Sequence, residues 1–220
     1  MVKLLIFDID GTIVDAYGAI EKSLNYTLRQ LGYTRVSASR ARRAVGFGDK
    51  NFIAGFVRHK DVETALAIYR EHHKAALLKY SRVIPGARMT LKRLKTRKYK
   101  LAVATNRPGK FSMILLRHLG LKKYFDVIVC AKNRDEIKPK PRLLLNIIGK
   151  LKIHKGEALY VGDMAIDVMA GRNAGIKTIA ISGGSSYRYE LKKARPFRII
   201  SKLPDLLKIL GLGLKTSALS

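Results

Sequence analysis

The sequence is short of cysteine and of long apolar runs. Cys130 is the one cysteine among the 220 residues, so no disulfide can form within the chain. A single thiol fits a reducing compartment, and we expect a cytoplasmic protein. No apolar run approaches the roughly 20 residues that a membrane-spanning helix needs. The first residues also lack a signal-peptide pattern, because the apolar run ending at Phe7 passes directly into acids. We expect no membrane partner.

Acidic residues are scarce as well. Only 16 Asp and Glu stand against 44 Lys and Arg, a formal net charge of +28. Such a charge attracts anions, including nucleic acids, small phosphates and anionic lipids. The basic residues are spread along the whole chain, which favours a solvated basic surface over a dedicated nucleic-acid site. We expect nucleic acid to bind only non-specifically, at low salt.

Two of the few acids stand close together near the start. Residues 4–7 form an apolar run typical of a short buried strand, and Asp8, Asp10, Gly11 and Thr12 follow it. Alternate side chains of a strand point the same way, so Asp8 and Asp10 project together. Adjacent carboxylates repel each other and need a cation, a proton or a substrate group to compensate them. Gly11 then lets the backbone turn sharply at the end of the strand. The two carboxylates and this turn predict a Mg²⁺-dependent site for chemistry on a phosphate.

The rest of the chain divides into a helical part and an alternating part. Residues 16–82 show helical spacing without a strand pattern, whereas helices alternate with strands after Pro85. The later strands are predicted at 100–104, 126–130, 158–161, 177–181 and 198–200. Alternation of this kind predicts an α/β fold, a Rossmann-like parallel sheet with helices on both faces.

This division also predicts the domain organisation. We interpret residues 1–15 and 83–220 as the α/β core, and residues 16–82 as an all-helical cap domain inserted into it. The tail from Gly211 to Ser220 is expected to be weakly ordered.

Further polar clusters follow the predicted strands, at the end where open α/β sheets bind ligands. Thr105, Asn106 and Arg107 offer a hydroxyl and backbone N–H groups to an anion, although Thr and Asn also cap ordinary helices. Lys138 lies in a loop that two prolines stiffen. It is either a fixed cation for phosphate or for the buried acids, or a solvated loop lysine.

A last cluster contains two acids, Asp163 and Asp167. They are four residues apart, so they share one face of a first helical turn. Oxygen ligands on one face suit a hard divalent cation, although the helix dipole alone also favours acids there.

Together, in this order, the four clusters resemble the motifs of the haloacid dehalogenase superfamily of aspartate-nucleophile phosphatases. The matching stretches are FDIDGT, TN, KPKP and GDMAID. The resemblance covers nearly the whole chain, includes a helical cap, and is greatest to the phosphoglycolate phosphatase subgroup.

The resemblance implies roles for the catalytic residues. Asp8 would attack phosphorus and form an aspartyl-phosphate. Asp10 would act as general acid toward the leaving group and then as general base toward water. Thr105 and Lys138 would hold the phosphoryl oxygens.

The resemblance also implies a Mg²⁺ cofactor. Its ligands would be Asp8, the backbone carbonyl of Asp10 and Asp163, while Asp167 would act through a water or orient the other ligands. Asp10 further argues against the hydrolytic dehalogenases of the superfamily, which lack an acid at that position.

Substrate-binding positions follow in the same way. Thr12 and Asn106 belong to matching motifs, and Arg43 and Gly46 lie where relatives place substrate-facing residues of the cap. For Gly46, a plain helix-breaking turn is the alternative.

The sequence departs from the family pattern at three positions. Ala16 and Met164 replace a common serine or threonine, and Arg107 stands where lysine is common.

The function that these patterns favour is a Mg²⁺-dependent phosphatase acting on a small phosphate monoester similar to phosphoglycolate. A sugar-phosphate mutase similar to β-phosphoglucomutase, a nucleotidase or a pyrophosphatase of the same fold are alternatives, and a basic polyanion-binding protein is a more distant one. The substrate and the oligomeric state stay open. His72 and His73 have no acidic cluster near them in sequence, and we expect them at the cap surface.

Overall fold

The structure is a computed structural model that describes residues 1–212 and contains one large parallel sheet. The strands, in chain order, are Leu4–Phe7 (β1), Val14–Asp15 (β2), Arg82–Val83 (β3), Lys100–Thr105 (β4), Val127–Cys130 (β5), Ala158–Gly162 (β6), Lys177–Ile181 (β7) and Arg198–Ile200 (β8). Within the described residues, six of them form the sheet, in the order β5-β4-β1-β6-β7-β8. Each pairing in it is parallel. The predicted fold class is therefore confirmed.

Helices follow most of the strands. In chain order they are Tyr17–Gln30 (α1), Ala38–Arg43 (α2), Asp49–Ala54 (α3), Val62–Tyr80 (α4), Ala87–Thr96 (α5), Gly109–His118 (α6), Arg142–Leu151 (α7), Ala165–Ala174 (α8), Arg188–Ala194 (α9) and Asp205–Ile209 (α10). The sequence pattern did not indicate α9, because this short helix is polar and buries only Leu191. The part of the predicted weakly ordered tail that follows residue 212 lies outside the described residues.

The sheet separates two apolar cores, as the alternation of side chains along a strand requires. Leu5 and Phe7 of β1 point into the larger core, which contains the buried faces of α1, α5 and α6. Leu4 and Ile6 point into the other, which contains the buried faces of α7 and α8. Because β1 is covered on both faces, the acids that follow it begin in a buried position.

The segment between β2 and β3 is helical. It carries α1 to α4, with α1 packed along α4. Val14 pairs with Val83 and Asp15 with Arg82 in a short antiparallel ribbon that brings both ends of the segment together. Two-residue strands are too short to show the alternation that identifies strands in a sequence. The boundaries at 15/16 and 82/83 stay predictions, and the ribbon lies at both of them.

No helix within residues 1–212 is both long enough and apolar enough to cross a membrane.

The packing of α7 against the sheet gives a stability prediction with a control on the same helix. Leu144 is fully buried in the smaller core, whereas its neighbour Leu145 is 44% exposed. We expect Leu144→Ala to lower the free energy of unfolding by about 2–5 kcal/mol, because it leaves a cavity. Leu145→Ala should change it by less than about 1 kcal/mol. Urea denaturation of both variants measures the difference, and equal losses would contradict this packing.

Candidate active site at the carboxyl ends of the strands

The candidate site lies where β1, β4 and β6 end side by side. Phe7 is in register with Val103 and with Val161, so Asp8, Thr105 and Asp163 meet at one end of the sheet. Asp8 is 6% exposed and Asp163 is fully buried. Three stretches far apart in sequence thus place polar side chains in one buried space, because parallel strands end at a common edge.

Lys138 places an ammonium between two of the acids. Its Nζ lies 2.9 Å from Asp8 Oδ1 and 2.7 Å from Asp167 Oδ1. Although burial disfavours the charged amine, the charges of Asp167 and Asp8 raise the pKa of Lys138 above its ordinary value. Lys138 therefore stays charged and faces the acids, which decides against a solvated loop lysine.

The buried acids still outnumber the buried cations. Among the described residues, four buried carboxylates face two buried cations, which leaves two formal negative charges; the six are Asp8, Asp10, Asp163, Asp167, Arg107 and Lys138. Burial, partly offset by Lys138 and reinforced by the neighbouring acids, raises the pKa of Asp8 to about 6. Burial and the charges of Asp167 and Asp8 raise the pKa of Asp163 to about 8. The site therefore has an excess of negative charge that its own cations do not balance.

The geometry of this cluster fits a divalent cation. Carboxylate oxygens of Asp8, Asp163 and Asp167 lie within 4.8 Å of one another. Oxygen donors of this kind suit a hard cation such as Mg²⁺, and a charge of two would balance the excess of carboxylates. The residues present thus fit the Mg²⁺ ion that the sequence resemblance implies.

Asp163 is held by groups that the sequence pattern did not identify. The Tyr17 hydroxyl donates to Asp163 Oδ2 at 3.1 Å, and the Ser185 backbone N–H donates to the same oxygen at 2.7 Å. The loop of Ser185 approaches closely because residue 184 is glycine: a Cβ there would lie 2.0 Å from Asp163 Oδ2. Ser185 follows the end of β7, so the rule that polar clusters follow strands would have identified it.

Thr12 is the other hydroxyl beside Asp163. Its Oγ1 donates to Asp163 Oδ1 at 3.3 Å. Thr12 was predicted to bind substrate, and in the structure its hydroxyl is directed at this acid.

Asp167 has donors on both of its oxygens. Oδ1 accepts from Lys138 Nζ and from the Tyr160 hydroxyl, each at 2.7 Å. Oδ2 accepts from the Met164 backbone N–H at 3.0 Å. These contacts suit a residue that orients Lys138 and the first turn of α8, the second of the two roles that the resemblance implies for it.

Thr105 ends β4, and Asn106 follows it and contacts the Lys138 loop. Thr105 Oγ1 accepts from the Arg107 backbone N–H at 3.1 Å, so its own proton is available to a ligand. The Asn106 carboxamide accepts from the Lys138 backbone N–H at 2.9 Å and donates to the Gly46 carbonyl at 2.6 Å. Asn106 thus ties the Lys138 loop to the helical segment while it lines the cavity.

Asp10 is paired with an arginine. Arg107 donates from Nε and Nη2 to the two oxygens of Asp10, at 2.9 and 2.7 Å. Arg107 Nη1 also lies 3.0 Å from His73 Nε2. His73 is 2% exposed, so the expectation that it lies at the surface is wrong. The error arose because its partner is 34 residues away in the chain, beyond any local pattern.

A cavity of about 60 Å³ opens over Asp8. Its polar lining comes from the strand-end clusters and from the cap side by His73 and Asp49. The remaining lining is mainly apolar and belongs to both parts of the chain: Ile20, Val45, Phe52, Tyr69, Phe111, Met164 and Ile166. Such a cavity suits a small polar ligand with one end at Asp8.

The two cap residues predicted to face the substrate are placed differently. Gly46 lines the cavity with φ of +131°, and a Cβ there would lie 2.7 Å from Met164 Cε, so only glycine fits without displacing that side chain. Arg43 does not line it. Its guanidinium pairs with Glu190 at 2.6 Å and donates to the Ser185 carbonyl at 2.6 Å, which connects α2 to α9.

Fold and site together place buried acids at the ends of parallel strands, and comparison with known proteins identifies the family. The model of the haloacid dehalogenase-like hydrolases matches residues 5–181. The chain therefore belongs to the haloacid dehalogenase-like hydrolase family and is an enzyme, as its sequence motifs predicted.

Individual relatives align with this chain over nearly the whole length of both. A phosphoglycolate phosphatase of Aquifex aeolicus is 30% identical over 208 residues, which cover 94% of this chain and 96% of the relative. The pyrophosphatase PpaX of Halalkalibacterium halodurans is 29% identical, with 96% and 97% covered. The crystal structure of a predicted phosphoglycolate phosphatase from Haemophilus somnus superimposes with a TM-score of 0.89, at 25% identity, covering 95% of this chain and 98% of that one.

The raised pKa values predict how a divalent cation affects stability. An unfolded Asp has a pKa of about 3.9, so the folded, metal-free protein binds extra protons at Asp8 and Asp163. Their contribution to stability is full below that value and is lost as the pH rises through about 6 and about 8. We expect Mg²⁺ to raise Tm more at pH 8 than at pH 5.5, because it replaces those protons.

Thermal unfolding with and without Mg²⁺ at the two pH values measures this effect. Asp163→Asn serves as the control and should respond much less to Mg²⁺ at pH 8. A Mg²⁺ response in this variant as large as that of the wild-type protein would contradict the site.

Proposed function

We propose that the protein is a Mg²⁺-dependent phosphatase that hydrolyses a small phosphate monoester through an aspartyl-phosphate intermediate. The observation that carries this proposal is the position of Asp8 at the cavity, with the Lys138 ammonium 2.9 Å from its Oδ1 and with Thr105 lining the same cavity. A carboxylate that faces bound phosphorus between a cation and a hydroxyl donor is suited to nucleophilic attack.

The proposed reaction has two steps, and Asp10 transfers a proton in each of them. An Asp8 oxygen attacks phosphorus while the bond from phosphorus to the leaving oxygen breaks. Asp10 must carry a proton when the substrate binds, so that one of its oxygens no longer accepts from Arg107. It donates this proton to the leaving oxygen, and it later regains one from the water that attacks the aspartyl-phosphate. Hydrolysis of that intermediate releases phosphate and returns Asp8 to its carboxylate. Thr105 and Lys138 hold the phosphoryl oxygens throughout.

The Mg²⁺ site comprises Asp8, Asp163 and, through its orienting contacts, Asp167. The backbone carbonyl of Asp10 is the further ligand that the family resemblance implies. When bound, the cation supplies positive charge that lowers the repulsion between an anionic nucleophile and an anionic phosphate.

The substrate that we propose resembles phosphoglycolate. The cavity beside Asp8 is lined by the cations Lys138 and Arg107, which suits a small anionic phosphate ester. A relative that covers 94% of this chain is a phosphoglycolate phosphatase. Pyrophosphate is the second candidate, because another relative of similar identity is a pyrophosphatase.

We also propose that the enzyme acts in the cytoplasm, in keeping with its single cysteine. A small phosphorylated compound is then its ligand. Nucleic acid would bind its positive surface only non-specifically, at low salt.

A phosphatase assay tests the proposed reaction. Phosphate release from 2-phosphoglycolate should require Mg²⁺ and fall at least about a thousandfold in Asp8→Asn, because this change removes the nucleophile. Asp10→Asn should lower kcat by about 10²- to 10⁴-fold, the usual contribution of a general acid-base group.

The control for these variants is Asp135→Asn, which alters an acid whose side chain is 76% exposed and paired with Lys140. We expect it to retain wild-type activity. If Asp8→Asn released phosphate as fast as the wild-type protein, or if no compound of a panel of glycolate, sugar, nucleotide and amino-acid phosphates and pyrophosphate were hydrolysed, the proposed function would be wrong.

A further inference from the structure

Two cationic side chains line the cavity, and each contacts a different acid of the site. Lys138 lies beside Asp8 and Asp167, at the end where phosphate would bind. Arg107 lies beside Asp10, the residue that would protonate the leaving group. Among the described residues that line the cavity, these two are the only ones with a permanent positive charge. The second cation is therefore on the leaving-group side.

The hydrogen bonds of Arg107 leave part of its guanidinium available. A guanidinium carries five N–H groups. Asp10 accepts from Nε and from Nη2, and His73 Nε2 lies 3.0 Å from Nη1. One N–H on Nη1 and one on Nη2 thus remain for a ligand, and Arg107 can bind a further anion without releasing Asp10.

His73 fixes this guanidinium from the side of the helical segment. Arginine has only donors, so His73 Nε2 must be the acceptor and its Nδ1 carries the proton. The Nδ1–H group then donates a hydrogen bond to Ser23 Oγ at 3.0 Å. Burial and the adjacent Arg107 charge lower the pKa of His73 to about 2, which keeps the ring neutral.

The surroundings of Arg107 strengthen any charge pair that it forms. Arg107 is 8% exposed, and its partner His73 stacks on Tyr69 at 4.8 Å and meets Phe111 edge-on at 5.3 Å. In such an apolar setting a charge pair interacts more strongly than in water. The third acid of the lining besides Asp8 and Asp10 is Asp49, which is bound to Arg70 at 2.7 Å and does not compete for Arg107.

We propose that Arg107, held in place by His73, is a specificity-determining residue that binds a second anionic group carried by the leaving group of the substrate. This inference rests on the proposed phosphatase activity. It defines the substrate class as phosphates whose leaving group bears a carboxylate or a phosphate close to the bond that breaks. Esters with an uncharged leaving group of the same size would bind less well.

The identity of residue 107 matters to this role. An arginine binds Asp10 through one edge and still offers directed N–H groups to a ligand, whereas the ammonium of a lysine is a single point charge. Arg107→Lys therefore keeps the positive charge but loses the directed N–H groups of the guanidinium. Arg107→Met removes both and approximates the length of the side chain.

The test compares matched substrates. 2-Phosphoglycolate and 2-hydroxyethyl phosphate differ in whether the leaving group carries a carboxylate, and pyrophosphate offers a phosphate instead. We expect wild-type kcat/KM to favour 2-phosphoglycolate over 2-hydroxyethyl phosphate by at least about 10-fold, the effect of losing a hydrogen bond to a charged group. In Arg107→Met this ratio should fall to about 1, and in Arg107→Lys it should be intermediate.

Comparison with pyrophosphate shows whether the second anionic group that Arg107 binds is a carboxylate or a phosphate. A loss in Arg107→Met that is larger for 2-phosphoglycolate than for pyrophosphate identifies a carboxylate as the bound group, and the reverse identifies a phosphate. Either result supports the proposal, provided that the loss exceeds the loss for 2-hydroxyethyl phosphate.

Two outcomes would overturn the proposal. One is a wild-type enzyme that hydrolyses 2-phosphoglycolate and 2-hydroxyethyl phosphate equally well. The other is an Arg107→Met variant that loses activity by one common factor for all three substrates, because Arg107 would then act only by positioning Asp10. Thermal unfolding of each variant verifies that it is folded.

A binding measurement separates this inference from the proposed reaction. Titration calorimetry of Asp8→Asn with Mg²⁺ and each compound reports affinity without turnover. Tighter binding of 2-phosphoglycolate or pyrophosphate than of 2-hydroxyethyl phosphate, lost when Arg107→Met is added, supports the anion site even if no phosphate is released. Equal affinities would refute it whatever the activity.

Discussion

The candidate site depends on how a cluster of buried acids is compensated. Lys138 lies between Asp8 and Asp167 and removes part of their repulsion, yet the buried groups together still carry an excess of negative charge. A dry carboxylate cluster is unfavourable unless protons or cations balance it. That requirement explains in one argument the raised pKa values of Asp8 and Asp163 and the fit to a divalent cation. The chain as a whole is strongly basic, so its buried acids are the exception.

The backbone makes this cluster possible. Parallel pairing of β1 with β4 and β6 brings their ends together, and the glycine loop after β7 approaches Asp163 where any larger residue would collide with it. The acids are then fixed by neutral donors, among them the hydroxyls of Tyr17 and Tyr160. Such donors orient a carboxylate without cancelling its charge, so the excess negative charge still has to be balanced by a cation.

The helical segment completes the site rather than only covering it. Gly46 accepts a hydrogen bond from Asn106, and His73 holds Arg107 next to Asp10. In the proposed reaction, chemistry at Asp8 and recognition of the leaving group would be separated in space, with Lys138 at the first place and Arg107 at the second. Under the proposed specificity, the contacts between the two parts of the chain would decide which leaving group is bound.

The sequence by itself determined the sheet, most of its helices and the four polar clusters at strand ends, because periodicity and strand-end position are local properties of a chain. It did not reveal β2 and β3, which are too short for a period. The tertiary structure alone decided the partners of each charge. Arg107 pairs with Asp10 across 97 residues, and Arg43 turns away from the cavity to Glu190. Such pairings follow from strand register and from the seating of the helical segment, which no local pattern encodes.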